Sequence, residues 1–138
     1  MPTRTSSAVW NGDLKGGAGT VALGSGVFEG PYTYVSRFED GSGTNPEELI
    51  AAAHAGCFSM FLANVLAGAG FTADSVRTSA AVTLGAGPKI TGIALTVEAS
   101  VPNLDADAFA GHVETAKAGC PVSAALSAVP MTVDATLV

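Results

Sequence analysis

Charge is what this 138-residue chain has least of: 13% of its residues are charged and 48% are apolar. So apolar a chain is not disordered. A small monomer must wet most of its surface, so the shortage of charge predicts that much of this surface is buried against another subunit. Basic residues are scarcer still. Six are scattered from Arg4 to Lys117 without a cluster, in a chain of net charge −6. Nucleic acid is therefore not an expected partner. No repeat organises the seven prolines and seventeen glycines. The opening MPTRTSSAVW has no apolar h-region, so no signal peptide is expected and the cytoplasm is the expected compartment. GSGVFEG lacks the context of a phosphate-cradling loop. There are two cysteines. A structural disulfide is unusual in the cytoplasm, so they point to chemistry, a metal or plain packing.

What is present reads as one α+β domain over residues 1–138. Short extended runs around Val9 and Val21 flank the Gly-rich turn Gly16 to Gly19, predicting a hairpin. YTYVSRF, Tyr32 to Phe38, alternates and is rich in β formers, predicting a third strand with Arg37 near its end. A long helix follows. Thr44 or Asn45 can cap it, Pro46 suits its first position, and Glu47 and Glu48 complement its positive end. Gly68 and Gly70 stop it. The apolar stretch Leu49 to Phe71 contains His54 and Asn64 and has no basic anchor at its flanks, so it reads as a buried core helix and not a membrane span. Two long alternating strands, Ser75 to Gly85 and Lys89 to Val101, predict an antiparallel hairpin. A second helix, a short third helix opening at CPVSAAL and a closing strand, MTVDATLV, complete the chain.

Cys57 lies inside the long helix, in ELIAAAHAGCFSM. Only a thiolate is a good nucleophile, and an apolar setting raises a thiol's pKa. Cys57 is eleven residues past Pro46, about 16 Å along the axis, too far for the helix N-terminus to help. A cation from elsewhere in the chain is needed if Cys57 reacts. Cys120 precedes Pro121 at a helix start, where backbone N–H groups should lower its pKa. Local electrostatics alone therefore favour Cys120. Arg37 and Arg77 are the candidate cations, though either can be an ordinary solvated charge. His54 shares the Cys57 face at three residues' distance and is either a base for the thiol or a packing residue. Cys57, His54, Cys120 and His112 would make a Cys2His2 set, but no ligand spacing supports a metal.

SRFEDGSGTNPEELIAAAHAGCFSMFL and AGCPVSAALSAVPMTVDATL resemble the OsmC/Ohr family of thiol-dependent organic hydroperoxide peroxidases, and the likeness covers nearly the whole chain. The resemblance implies an intertwined homodimer, with antiparallel sheets around a long central helix carrying the first cysteine. It implies that Cys57 attacks the hydroperoxide and that Cys120 resolves the resulting sulfenic acid as a disulfide. Within the family, GGAGT carries no arginine, whereas SRFEDG supplies Arg37 and CPVSAAL has the OsmC form. The OsmC branch is therefore expected, with Arg37 as thiolate stabiliser and Glu47 as its orienting carboxylate. No cofactor is implied, and the reductant would be a dithiol such as a lipoylated protein. Phe58, Met60 and Phe61, next to Cys57 in sequence, are expected to form an apolar wall for an alkyl peroxide. Glu47 and Cys57 lie about 15 Å apart along one continuous helix, so the Arg37–Glu47 pair is expected to come from the partner chain. The competing reading is a non-enzymatic, stress-related or ligand-binding homodimer whose cysteines merely pack.

Overall fold

Turn chemistry organises the first part of the chain. In the computed structural model, which describes residues 1–138, two units separate at Met1–Leu49 and Ile50–Val138. In the first, β1 (Ser6–Asn11) and β2 (Ala18–Leu23) pair antiparallel, with Val9 opposite Thr20. Gly12 turns the chain at φ +95°, a backbone conformation open mainly to glycine. The Asp13 carboxylate accepts from the Gly16 N–H at 2.6 Å. β3 (Glu29–Tyr32) pairs antiparallel with β2.

The strand expected over Tyr32 to Phe38 ends at Tyr32, and α1 (Tyr34–Phe38) takes its place. A capping box overrides the β propensity. The Thr33 hydroxyl accepts from the Ser36 N–H at 3.1 Å, and the Ser36 hydroxyl accepts from the Thr33 N–H at 2.8 Å. Ser36 Oγ also donates to the Thr44 carbonyl at 2.8 Å, tying α1 to the segment that opens the next helix. Arg37 therefore sits in the last turn of a short helix and not at the end of a strand.

That next helix, α2 (Pro46–Gly68), starts in the first unit and runs without interruption into the second. Asn45 caps it, its side-chain oxygen accepting from the Glu48 N–H at 2.8 Å. By length and composition α2 could cross a membrane. One stripe of it instead enters a protein core, through His54, Phe58, Leu62 and Leu66, all fully buried. Each large apolar side chain buried in this way contributes about 2 kcal/mol, more than the roughly 1 kcal/mol that Gly56 costs inside the helix. On the opposite side Ala52, Ala53, Gly56, Met60, Asn64 and Ala67 are exposed.

In the second unit, β4 (Ser75–Gly85) and β5 (Lys89–Ser100) form the expected antiparallel hairpin, turning through Gly87 at φ +121°. β6 (Met131–Leu137) pairs with β5 in parallel, a departure from the purely antiparallel sheets expected. The reason lies in the connection. The chain leaving β5 forms α3 (Ala106–Gly119) and α4 (Pro121–Ala125) before returning, and a helical crossover delivers the next strand in the same direction. β5 alternates strictly: Ile93, Leu95, Val97 and Ala99 are buried, while Ala94, Thr96 and Glu98 are exposed. Its inner face packs with the α2 stripe and with Phe109, Val113 and Ala116 of α3. Every buried apolar core side chain belongs to this second unit.

Candidate active site

In the first unit, Arg37 and Glu47 form a two-point ion pair. Arg37 Nη2 donates to Glu47 Oε1 at 2.9 Å and Nε to Oε2 at 3.3 Å. Glu47 is buried and Arg37 is one-third exposed, so the guanidinium is clamped on one edge and open on the other. The forked geometry fixes direction as well as charge. Asn45 Nδ2 donates to the Ser36 carbonyl at 3.0 Å, bracing α1 against the start of α2. Beside Arg37 a cleft of about 350 Å³ opens, lined chiefly by Trp10, Leu14, Tyr32, Tyr34 and Phe38. The rings of Trp10 and Tyr32 lie 5.2 Å apart, and those of Tyr34 and Phe38 lie 4.8 Å apart. An arginine edge in an aromatic cleft can hold a polar head that carries an apolar tail.

In the second unit the two thiols, 63 positions apart in sequence, stand with their sulfurs 3.1 Å apart, both free. Three local choices bring them together. α2 presents Cys57 at the margin of its buried stripe. α3 ends at Gly119, where a β-carbon would come within 2.7 Å of the Phe61 ring. The glycine thus lets the end of α3 lie against the Phe61 ring in its present position. Cys120 then joins α3 to α4, its N–H donating to the Ala116 carbonyl and its carbonyl accepting from the Ala124 N–H.

The two thiols differ in acidity. Burial pushes the Cys57 thiol up. The Val122 N–H draws it down, but the hydrogen bond and charge of Cys120 push it up again, and the net shift is upward. Burial also pushes Cys120 up, but the Ser123 N–H and hydroxyl, the Cys57 thiol and the Val122 N–H outweigh it. The acid site expected at Cys120 is thus present, although its sulfur does not complete a regular helix cap. Cys57 gains no activation from its own helix.

The other residues singled out in the sequence fall in different places. Successive helical residues are offset by about 100°, so Phe61 shares the Cys57 face while Met60 lies on the exposed side and Phe58 deep on the buried one. Phe61 is half-buried and Met60 exposed. Phe58 is fully buried in the core, so the expectation that it forms a free apolar wall is corrected: it backs the Cys57 turn from inside. Arg77 is exposed on β4, opposite Glu98. His54 is fully buried, with Nε2 2.7 Å from Ser123 Oγ and Nδ1 unpartnered. Ser123 and the aromatic cleft were not anticipated. The position of Ser123, three residues after Cys120 in a short helix, was a readable signal for the first. Nothing local tied Trp10 to Arg37.

An α+β chain whose fold brings a buried cysteine onto a second cysteine in a long apolar helix defines a two-cysteine thiol protein. The chain belongs to the OsmC family, whose OsmC-like protein model matches residues 39–134. It is 53% identical over 129 residues to Peroxiredoxin OsmC of Escherichia coli (strain K12), covering 91% of this chain and 90% of that one. Solved structures share the fold, two of them as follows. The organic hydroperoxide resistance protein OhrB of Bacillus subtilis has a TM-score of 0.70 at 22% identity, covering 96% of this chain and 98% of that one. The OsmC-like protein from Mycoplasma pneumoniae has a TM-score of 0.74 at 20% identity, covering 99% and 98%.

Proposed function

We propose that this protein is a thiol-dependent peroxidase that reduces organic hydroperoxides to alcohols. The observation that carries the reading is the 3.1 Å approach of Cys57 and Cys120, in a chain 53% identical to a protein named Peroxiredoxin OsmC. The Cys57 thiolate attacks the distal peroxide oxygen. The O–O bond breaks, the alkoxide leaves and takes up a proton as the alcohol, and Cys57 becomes a sulfenic acid. Cys120 then attacks the Cys57 sulfur. The S–S bond forms, and hydroxide departs and is protonated to water. A dithiol, for which we propose a lipoylated protein, reduces the disulfide and closes the cycle. An apolar tail favours organic over hydrogen peroxide, and the aromatic cleft beside Arg37, with Phe61 and Met60 flanking Cys57, is suited to receive one.

Arg37, oriented by Glu47, is the cation that Cys57 lacks. We place that pair on the partner chain of a homodimer. The uninterrupted α2 supports this, because Glu47 and Cys57 are about 15 Å apart along its axis. So does the apolar surface left uncovered: Val9, Leu14, Val27, Phe28, Val35 and Met60 are exposed. The match to the family model spans residues of both units, so we treat the chain as one functional domain, working in the cytoplasm.

Cys57→Ser tests the reading directly. Consumption of cumene hydroperoxide with a dithiol should fall to background while the protein stays folded, and peptide mapping of oxidised wild type should find Cys57 linked to Cys120. Full activity in the variant overturns the role of Cys57, and no consumption by wild type returns the protein to the class of non-enzymatic homodimers.

A further inference from the structure

We propose that His54 and Ser123 are positioning residues for Cys120: His54 donates from Nε2 to Ser123 Oγ, and the Ser123 hydroxyl is thereby turned to donate to the Cys120 sulfur and hold it as the resolving thiolate. The inference rests on the reading of Cys120 as the resolving thiol and adds how that thiol is prepared.

Its first support is a row of four side chains. His54 Nε2 lies 2.7 Å from Ser123 Oγ. Ser123 is three residues past Cys120 on α4, and its N–H and hydroxyl draw the Cys120 thiol's pKa down. Cys120 Sγ lies 3.1 Å from Cys57 Sγ. His54 is one helical turn before Cys57 on α2, so the row begins and ends on the same helix. His54 and Ser123 are the only buried polar residues of the second unit, which buries no charged side chain. Cys57 is the titratable group in contact with Cys120 and His54 lies beyond Ser123, so a thiolate here depends on hydrogen-bond donors for its stability.

The second support is the histidine's own proton. Nδ1 is buried and has no partner. A proton there would be an orphaned buried donor, which folded proteins avoid more strictly than an orphaned acceptor. The proton therefore belongs on Nε2. Burial lowers the affinity of His54 for a second proton and keeps the ring neutral. With Nε2–H donating, Ser123 Oγ accepts from His54 and its own hydrogen is free for Cys120. The opposite tautomer would reverse the row: Ser123 would donate to His54 and present lone pairs to Cys120, favouring the thiol. The histidine thus decides which form of Cys120 its surroundings stabilise, without touching either sulfur.

In the resolving step the Cys120 thiolate attacks Cys57 Sγ, the S–S bond forms, the S–O bond breaks, and hydroxide leaves with the bonding pair. The sulfenic sulfur is reduced as Cys120 is oxidised, so no other oxidant is required. Ser123 has only to release the sulfur as its charge is spent.

The test uses the full chain and two readouts. In a Cys57→Ser background, ultraviolet titration of the remaining thiolate gives the midpoint of Cys120. Ser123→Ala and His54→Leu should each raise it by about one pH unit, the effect of losing one hydrogen bond to a charged group. His54→Gln, which retains an N–H donor, should bring it back towards the starting value, whereas a purely packing role would leave Gln as impaired as Leu. With both thiols present, single-turnover oxidation should show disulfide closure slowed about tenfold relative to sulfenic acid formation in Ser123→Ala. An unmoved midpoint with unchanged closure in Ser123→Ala, which preserves the backbone of α4, overturns the proposal. Failure of wild type to form the Cys57–Cys120 disulfide at all overturns the underlying peroxidase reading instead.

Discussion

At the scale of single residues, Cys57, the thiol proposed to attack, is disfavoured by its own surroundings. Burial and the neighbouring Cys120 both push its pKa up, while Cys120 is drawn down. A nucleophile so placed needs a positive charge brought to it. Arg37 is suited to bring one because Glu47 occupies one edge of its fork and leaves the other free. Arg77 is a matched control, an exposed arginine facing Glu98 across two strands. Arg37→Ala should slow iodoacetamide alkylation of Cys57 at neutral pH by about tenfold or more, the consequence of losing a cation close to a thiolate. Arg77→Ala should change it less than about twofold, as surface substitutions do. Equal effects would remove Arg37 from the mechanism.

At the scale of elements, two short features place candidate site residues, one in each unit. The capping box at Thr33 turns an expected strand into α1 and so sets the direction of Arg37. Gly119 allows the end of α3 to close on α2, since a β-carbon there would come within 2.7 Å of Phe61. Gly119→Ala should therefore displace Phe61 or the end of α3. We expect a loss of about 1–3 kcal/mol, the usual cost of overpacking, read as a lower urea midpoint. We also expect slower disulfide closure, because Cys120 is the next residue. Unchanged stability together with unchanged closure would show that Phe61 yields freely.

At the scale of the whole molecule, apolar surface is unevenly spent. The second unit holds the entire buried apolar core, whereas the buried side chains of the first are Ser36, Thr44 and Glu47. A three-stranded sheet needs an apolar face packed on something to be stable. α2 is apolar on nearly every side, yet buries only one stripe within the chain. Both facts favour a partner chain over a free monomer. Mixing inactive Cys57→Ser subunits with inactive Arg37→Ala subunits tests whether the site is shared. Heterodimers should regain one working site, because one intact Arg37 then faces one intact Cys57. No recovery, with subunit exchange demonstrated by mass spectrometry, would place Arg37 and Cys57 on the same chain.

The sequence by itself determined the periodic elements and the cap chemistry. The alternation of β4 and β5, the start of α2 at Asn45–Pro46 and the acidic setting of Cys120 follow from residues a few positions apart, and they stand in the structure as read. Where two local signals competed, the sequence left the outcome open: YTYVSRF has strand composition, but Thr33 and Ser36 cap each other and a helix results. The parallel course of β6, the burial of Phe58 and the approach of Cys57 to Cys120 were decided only by tertiary structure. Each depends on groups distant along the chain meeting in space, and neither period nor propensity carries that information. The pairing of His54 with Ser123 is of the same kind. It joins residues 69 positions apart, and it gains its meaning from the absence of any other partner for a buried ring nitrogen.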